Sequence, residues 1–600
     1  MKNKRKGNVG FIILFVLVAV VYAVYLEVCK NTLLGWGLAI AVLVAYFVIR
    51  QKKLRDKKWY VRILGWCCLF LVLAGIVQIS KPPYKQIAAV DTKKPQATDV
   101  ITVEQGDLTG VYSEDEEVEV FAGIPYAAPP VGELRWKEPQ EPDSWDGVRV
   151  CDTFAPMSMQ QEGDPVYSFG SQIIGYGNVP LSLKDNYKEA MSEDSLYLNV
   201  WRPADIDEDE ELPVLVYIHG GSLNSGQSYF IDYNGESLAK QGVIVVTITY
   251  RLGVFGYLAN DELAAESENE TTGNYGLLDQ IQALKWVNEN ISAFGGDVLN
   301  ITIAGESAGS SSVNAICVSP LAKGMFRRAV AESSGITAVE PYHTFRSMED
   351  AKEVSSEILD EFDCDSIDEL REIPAEELVY TTHANNEMTV DGYAITEQPN
   401  LTYEKGNNNE ESVLGGYNAE EATVFRMFAD TPLDDYEDSL ASVVGTDNVS
   451  ALEALYPATT DEEANSMFNE ILGLAWFGYS HYNWSNLMAA EGRIAYLYYF
   501  DKDNGGLGSW HSGELPYMYG NLPENSKNYD ESDEELSKAM QSYLINYVKT
   551  GNPNGEGLPA WYTYDNKPQE IMSFSEDLGM MKNPHLSFYE IVDKYMDSKR

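Results

Sequence analysis

The sequence predicts an α/β fold with a large, mostly parallel sheet flanked by helices, preceded by three transmembrane helices. Three observations predict it. From about Val100 onward, short β-branched runs alternate with segments of helical periodicity. A Gly-x-Ser-x-Gly pentapeptide, Gly305 to Gly309, follows one of those runs directly. Three uncharged apolar runs, Val9–Leu26, Thr32–Ile49 and Ile63–Ile79, fill most of the first 80 residues.

Each apolar run has 17 or 18 residues, which as helix is about 26–27 Å, near the hydrocarbon thickness of a bilayer. A buried helix of a water-soluble protein is rarely apolar on every face, and here it happens three times in succession. Lys2, Lys4, Arg5 and Lys6 precede the first run, as in a secretory signal. However, no small-residue cleavage site follows at Glu27-Val28-Cys29, so a retained helix is expected. The loop Arg50–Lys58 is strongly basic, whereas the Glu27–Asn31 hairpin carries one Lys and one Glu. The positive-inside rule then puts the N-terminus and the second loop in the cytoplasm and everything after Ile79 outside. Trp59, Tyr60 and Tyr84 fall where interfacial aromatics are expected. Residues 81–99, with Pro82, Pro83 and Pro95, read as a linker from the membrane region (residues 1–80) to a domain spanning 100–600.

The net charge is −49 over 600 residues and unevenly spread. The first 100 residues hold 16 Lys and Arg against 4 Asp and Glu, and the other 500 hold 27 against 88. A domain so acidic repels phosphate backbones, so no nucleic-acid partner is expected. Six cysteines are too few for a disulfide scaffold. Three of them, Cys151, Cys317 and Cys364, fall after residue 100, so at least one of these is unpaired or pairs elsewhere.

Within the domain, Val214–Ile218, Val243–Thr249, Ile301–Ala304 and Arg328–Ala331 read as buried strands. Leu277, Leu278, Ile281, Leu284, Val287 and Ile291 recur at helical spacing. Gly305-Glu306-Ser307-Ala308-Gly309 sits between the third strand and a stretch, Ala308–Val318, that continues as helix. A serine on such a sharp turn is pushed out of the sheet, and the helix N-terminus points at developing negative charge. The pentapeptide alone is weak, since a chain of this length matches it by chance about 0.2 times. The strand before and helix after make it specific. His219-Gly220-Gly221-Ser222 follows another strand upstream, where backbone N–H donors for an oxyanion are expected.

These stretches resemble the type-B carboxylesterase and cholinesterase family, whose members have the α/β-hydrolase fold. The resemblance lies in Gly273–Gln280, Ala283–Val287, Asn290-Ile291, Phe294–Asp297 and the elbow itself. It lies also in Phe121–Tyr126, Pro129-Pro130, Leu134-Arg135-Trp136 and Glu193–Asn199. It implies Ser307 as nucleophile. The family's strand-end acid motif, Asn-x-Asp-Glu-Gly, is matched by Asn418-Ala419-Glu420-Glu421-Ala422, which puts the acid at Glu421. Glu420 stands where the family usually has Asp, and Ala422 where it usually has Gly. The catalytic-histidine loop matches Ser509–Tyr517, which puts the base at His511. Of the other five histidines, His219 belongs to the oxyanion segment, while His343, His383, His481 and His585 match no motif.

The resemblance further implies an oxyanion hole from the N–H groups of Gly221, Ser222 and Ala308, with Glu306 and Ser333 behind the catalytic groups. Activity is expected to fall below about pH 6–7 as the base protonates. A disulfide usual in the family would join positions that here are Ser158 and Ser195, so the bridge is absent as a pair. The intervening loop, Met159–Asp194, holds no Trp of the kind that cholinesterases use to grip a quaternary ammonium, which argues against choline esters. The expectation is a membrane-anchored serine hydrolase of small-molecule carboxylic esters, with no cofactor and no metal. Its alternatives are a non-catalytic adhesion protein of the same fold and an acyltransferase.

Overall fold

The computed structural model describes residues 2–163, 165–175, 186–207, 210–337, 344–383, 386–503, 505–523, 526–564 and 570–599. The chain divides into two compact units. One comprises residues 1–86 with Glu162–Ala190, and the other comprises Ile87–Gln161 with Met191–Arg600.

The first unit holds helices α1 (Lys2–Val28), α2 (Leu33–Ile49) and α3 (Trp59–Ile79), with a π-helical turn Arg50–Leu54 extending α2. Three stretches, Val9–Val28, Leu33–Leu54 and Trp59–Ile79, are long and apolar enough to cross a membrane. Their outward faces carry bare aliphatic side chains, among them Leu64, Leu71 and Val44. Between them, Phe11, Phe15, Tyr46, Phe47 and Trp66 make one aromatic cluster. At the α1–α2 hairpin, Asn31 Nδ2 donates to Val77 O (3.0 Å) and Ser80 Oγ (2.9 Å), so this hairpin and the end of α3 share one end of the bundle.

The second unit is organised by an eleven-stranded mixed sheet. Its strands are β1 (Val111–Tyr112), β2 (Val118–Pro125), β3 (Tyr197–Pro203), β4 (Leu212–Ile218), β5 (Ile244–Ile248) and β6 (Gly296–Glu306). They continue with β7 (Arg328–Glu332), β8 (Ser412–Asn418), β9 (Ile494–Phe500), β10 (Glu570–Phe574) and β11 (Gly579–Lys582). The spatial order is β11-β10-β9-β8-β7-β6-β4-β5-β3-β2-β1. The run from β5 through β4 and β6 to β10 is parallel, and the pairings outside it are antiparallel.

Every residue of β4 and β8 is buried, as expected for strands covered on both faces. Side-chain alternation splits the core into two layers. Val214, Val216 and Ile218 pack with helices α4 (Tyr275–Asn290) and α5 (Ala308–Val318) through Leu277, Leu284, Val313 and Ile316. Leu215 and Tyr217 face the opposite layer, where α6 (Glu531–Thr550) brings Leu536, Met540, Leu544 and Tyr547. The N-terminus of α6 is fixed by a capping box between Asp530 and Asp533.

The stretch read as a linker, residues 81–99, crosses from one unit to the other, and each part of it has backbone partners within its own unit. Tyr84-Lys85 pairs in parallel with Lys188-Glu189 in the first unit. Beyond Gln86 its backbone is taken up by the second unit: Ala89 N donates to Asp152 O (2.8 Å) and Thr98 N to Gly110 O (3.1 Å). The prolines punctuate the segment, but several of its N–H groups, those of Ala89, Thr92 and Thr98, still find carbonyls.

Candidate active site

Four segments that leave the carboxyl ends of parallel strands carry the expected site residues. Ser307 follows β6, His219-Gly220-Gly221 follow β4, Glu421 follows β8, and His511 lies in the loop after β9. In open α/β sheets this edge is where ligands bind.

Ser307 adopts φ 56° and ψ −127°, a left-handed conformation uncommon for any residue with a side chain. The flanking glycines are demanded by space. A Cβ on Gly309 would stand 2.1 Å from Ile218 O, and one on Gly305 would stand 2.6 Å from Gly309 O. The turn is held by Ser307 N donating to Glu332 O (2.9 Å) and by Ser311 N donating to Ser307 O (3.0 Å), the first turn of α5. The Ser307 side chain is half-exposed at the N-terminus of that helix.

The loop after β4 closes on the elbow. A Cβ on Gly220 would meet Glu306 O at 2.6 Å and Ser307 Cβ at 3.0 Å. Gly221 and Ser222 have φ of 105° and 55°. Among the described residues, no hydrogen bond leads from the N–H groups of Gly221, Ser222 or Ala308.

His511 is buried, and its Nδ1 lies 2.6 Å from Glu421 Oε2. The other oxygen of Glu421 accepts from Asn418 N (2.7 Å), so both carboxylate oxygens are engaged. Glu420 turns away from the histidine and accepts from Ser509 N (2.5 Å). In the neutral imidazole, with Nδ1–H donating to Glu421, Nε2 carries the lone pair. That Nε2 makes no hydrogen bond among the described residues and lies 3.3 Å from Glu306 Oε1. Phe477 and Phe425 flank the imidazole, with centroids 4.5 and 5.0 Å from it.

Beneath the histidine lies a group of buried carboxylates, of which the family motifs had placed Glu306 behind the catalytic groups but had given Glu332 and Glu514 no role. Glu306 accepts from Ser512 Oγ (2.6 Å). Glu514 accepts from Ser333 Oγ (3.3 Å) and from Asn418 Nδ2, which also donates to Trp510 O (2.8 Å). Glu332 accepts from the Tyr519 hydroxyl (2.9 Å). Burial, with Glu306 and Glu421 nearby, pushes the Glu514 carboxyl up to about 8. Burial also raises Glu306 and Glu332. Burial pulls the His511 imidazole down, but Glu306, Glu421 and Glu514 outweigh it and hold it up at about 9. Glu514 stood inside the histidine-loop motif, yet burial is what gives it this character, and a motif does not encode burial.

The remaining histidines are apart from this cluster. His219 Nδ1 contacts Gly220 O (2.8 Å) and its ring stacks on Tyr250, and burial depresses it to about 4. His481 Nε2 accepts from Ser334 N (3.1 Å), and His383 Nδ1 lies 2.9 Å from Glu357. His585 packs beside Tyr417 and Tyr499. His343 lies outside the described residues. All six cysteines are free. Ser158 and Ser195 are buried, with their hydroxyl oxygens 3.0 Å apart.

The mixed sheet, with a serine elbow after β6 and a histidine after β9, defines an α/β-hydrolase. Residues 97–591 match the model of the carboxylesterase family. Over 551 residues the chain is 31% identical to the medium-chain fatty acyl-CoA hydrolase precursor of Anas platyrhynchos, covering 85% of this chain and 95% of that one. It is 32% identical to the fumonisin B1 esterase of Sphingopyxis macrogoltabida, over 79% of this chain and 86% of that one. The crystal structure of Geobacillus stearothermophilus carboxylesterase EST55 at pH 6.2 is similar, with a TM-score of 0.69 and 31% identity. The match covers 82% of this chain and all of that one. The chain belongs to the type-B carboxylesterase family, and it is a carboxylic ester hydrolase.

Proposed function

We propose that Ser307, His511 and Glu421 form a catalytic triad that hydrolyses small-molecule carboxylic esters through an acyl-enzyme. The observation that carries this reading is the 2.6 Å contact of His511 Nδ1 with Glu421 Oε2 in a buried setting, with Nε2 left unbonded. A serine hydroxyl is a poor nucleophile at neutral pH. His511 takes its proton as Ser307 Oγ attacks the ester carbonyl, then gives it to the leaving alcohol. Glu421 fixes the tautomer and stabilises the imidazolium. The N–H groups of Gly221, Ser222 and Ala308 bind the oxyanion, each worth about 3–4 kcal/mol of barrier lowering. Water repeats the cycle on the acyl-serine. Phe425 and Phe477, set against His511, favour esters with an apolar acyl or alcohol group.

The test is Ser307→Ala, which should lower kcat on a short p-nitrophenyl ester by on the order of 10^6-fold while thermal stability is kept. Turnover persisting in that variant would refute the assignment.

The three apolar helices anchor the enzyme in a bilayer. The basic Arg50–Lys58 loop lies in the cytoplasm and the catalytic unit outside. An impermeant protease added to intact cells should destroy the ester hydrolysis. Protection until the cells are permeabilised would reverse the orientation.

A further inference from the structure

Residues 165–183 contain no charged side chain, within a region otherwise dense in Asp and Glu. The excursion Glu162–Ala190 belongs to the compact unit of the three apolar helices. Its two ends are tied to the chain leaving α3. Tyr84 donates to Glu162 Oε1 (2.8 Å), Lys188 pairs with Glu162, Lys188 N donates to Pro83 O (3.0 Å) and Ala190 N donates to Lys85 O (3.0 Å). Asn186 Nδ2 donates to Asn31 O (2.9 Å), in the α1–α2 hairpin. Asn31 in turn holds Ser80, at the end of α3. The two ends of the excursion are therefore fixed at the end of the bundle where α1, α2 and α3 meet the hairpin.

Within it, residues Pro165–Gly175 form a helix that packs against α1. Val166, Ile173 and Ile174 are exposed on it, at 68%, 39% and 38%. Their spacing of seven and eight residues sets them on one helical face. An apolar face on an uncharged helix, held beside the ends of bilayer-length helices, has the pattern of a helix lying in the plane of a membrane interface.

We propose that Pro165–Gly175 is an interfacial lipid-contacting helix. It lies in the leaflet that holds the α1–α2 hairpin, with Val166, Ile173 and Ile174 against the boundary of headgroups and acyl chains. This makes Pro165–Gly175 part of the membrane-binding surface, contributed from within the esterase sequence. It rests on the reading of α1, α2 and α3 as bilayer spans, and the experiment separates the two.

The full-length protein is reconstituted in phosphatidylcholine nanodiscs with a benzophenone amino acid at one of three positions. These are Ile173 on the helix, Val44 on the exposed face of α2, and Leu299, 80% exposed in the second unit. After illumination, peptides are weighed. The expected result is a mass shift of one phospholipid at positions 173 and 44, and none at 299. A lipid adduct at 44 with none at 173 overturns the interfacial helix and leaves the spans standing. Adducts at neither overturn the membrane reading itself. If the probe at 173 impairs folding, judged by elution and ester turnover, position 166 takes its place with the same two outcomes.

Discussion

Glu306 Oε1 stands 3.3 Å from His511 Nε2, the nitrogen that receives the serine proton in the proposed triad. A carboxylate so close stabilises the charged imidazole, and it acts together with Glu421 and Glu514. The base must be neutral to work. Because the imidazole is held at about 9, against an ordinary value of 6.5, its protonated form persists further up the pH scale. The acid limb of kcat/KM should therefore lie above pH 6.5, displaced toward 9, rather than at the pH 6–7 that an unperturbed histidine implies. Glu514 titrates at about 8, inside the same window, so the limb belongs to the cluster and should be broad. Glu514→Gln should move it down. A limb at or below pH 6.5 in both proteins would contradict the carboxylate effect.

Neighbouring glutamates give a clean discrimination. Glu421→Gln leaves the wrong partner for Nδ1–H and should lower kcat on the order of 10^4-fold, as loss of a triad acid does elsewhere. Glu420→Gln, whose carboxylate serves Ser509 N instead, should leave kcat close to that of the parent. Equal losses in steady-state assays of the two variants would dissolve the distinction.

The elbow tolerates no side chain at its second glycine. Gly309→Ala drives a methyl to within 2.1 Å of Ile218 O, a backbone atom in the middle of the sheet. Forced relief should cost about 1–3 kcal/mol in denaturant unfolding. Ester turnover should fall with it, because the displaced backbone carries Ser307. An unchanged denaturation midpoint would show that the close approach is softer than described.

The family's missing bridge can be restored. Ser158 and Ser195 already face each other with oxygens 3.0 Å apart, both buried. Ser158→Cys with Ser195→Cys should close under oxidation, leaving the free-thiol count at the native six. Closing a loop of this length restricts the unfolded chain by about 4 kcal/mol. The readout is a melting temperature that rises on oxidation and returns with a reductant, and no rise would mean that the two backbones are set too far apart.

What could be read from the residues divides along a physical line. The elbow was legible because its requirements are local: two glycines without Cβ, a serine between them, a strand before and a helix after. Glu421 and His511 were singled out by short motifs around each of them, and the structure brings the two side chains to 2.6 Å. The burial of Glu332 and Glu514 beside Glu306 was not legible, because burial arises only when strands distant in sequence align. The backbone partners of residues 81–99 were hidden for a related reason. Prolines and polar side chains signal a loop, but they do not reveal whether its N–H groups find carbonyls elsewhere. Nor did Pro165–Gly175 announce that it packs against α1, a contact made across more than a hundred residues.

Ser307 at φ 56° and ψ −127° sits where glycine rests without penalty. A side chain in such a conformation costs on the order of 1–3 kcal/mol. Ser307→Gly should therefore unfold at higher denaturant than the parent while hydrolysing nothing. Under the proposed mechanism the nucleophile and the strain come from one side chain, so a chain with no need of the Ser307 hydroxyl would gain durability by giving up that Cβ.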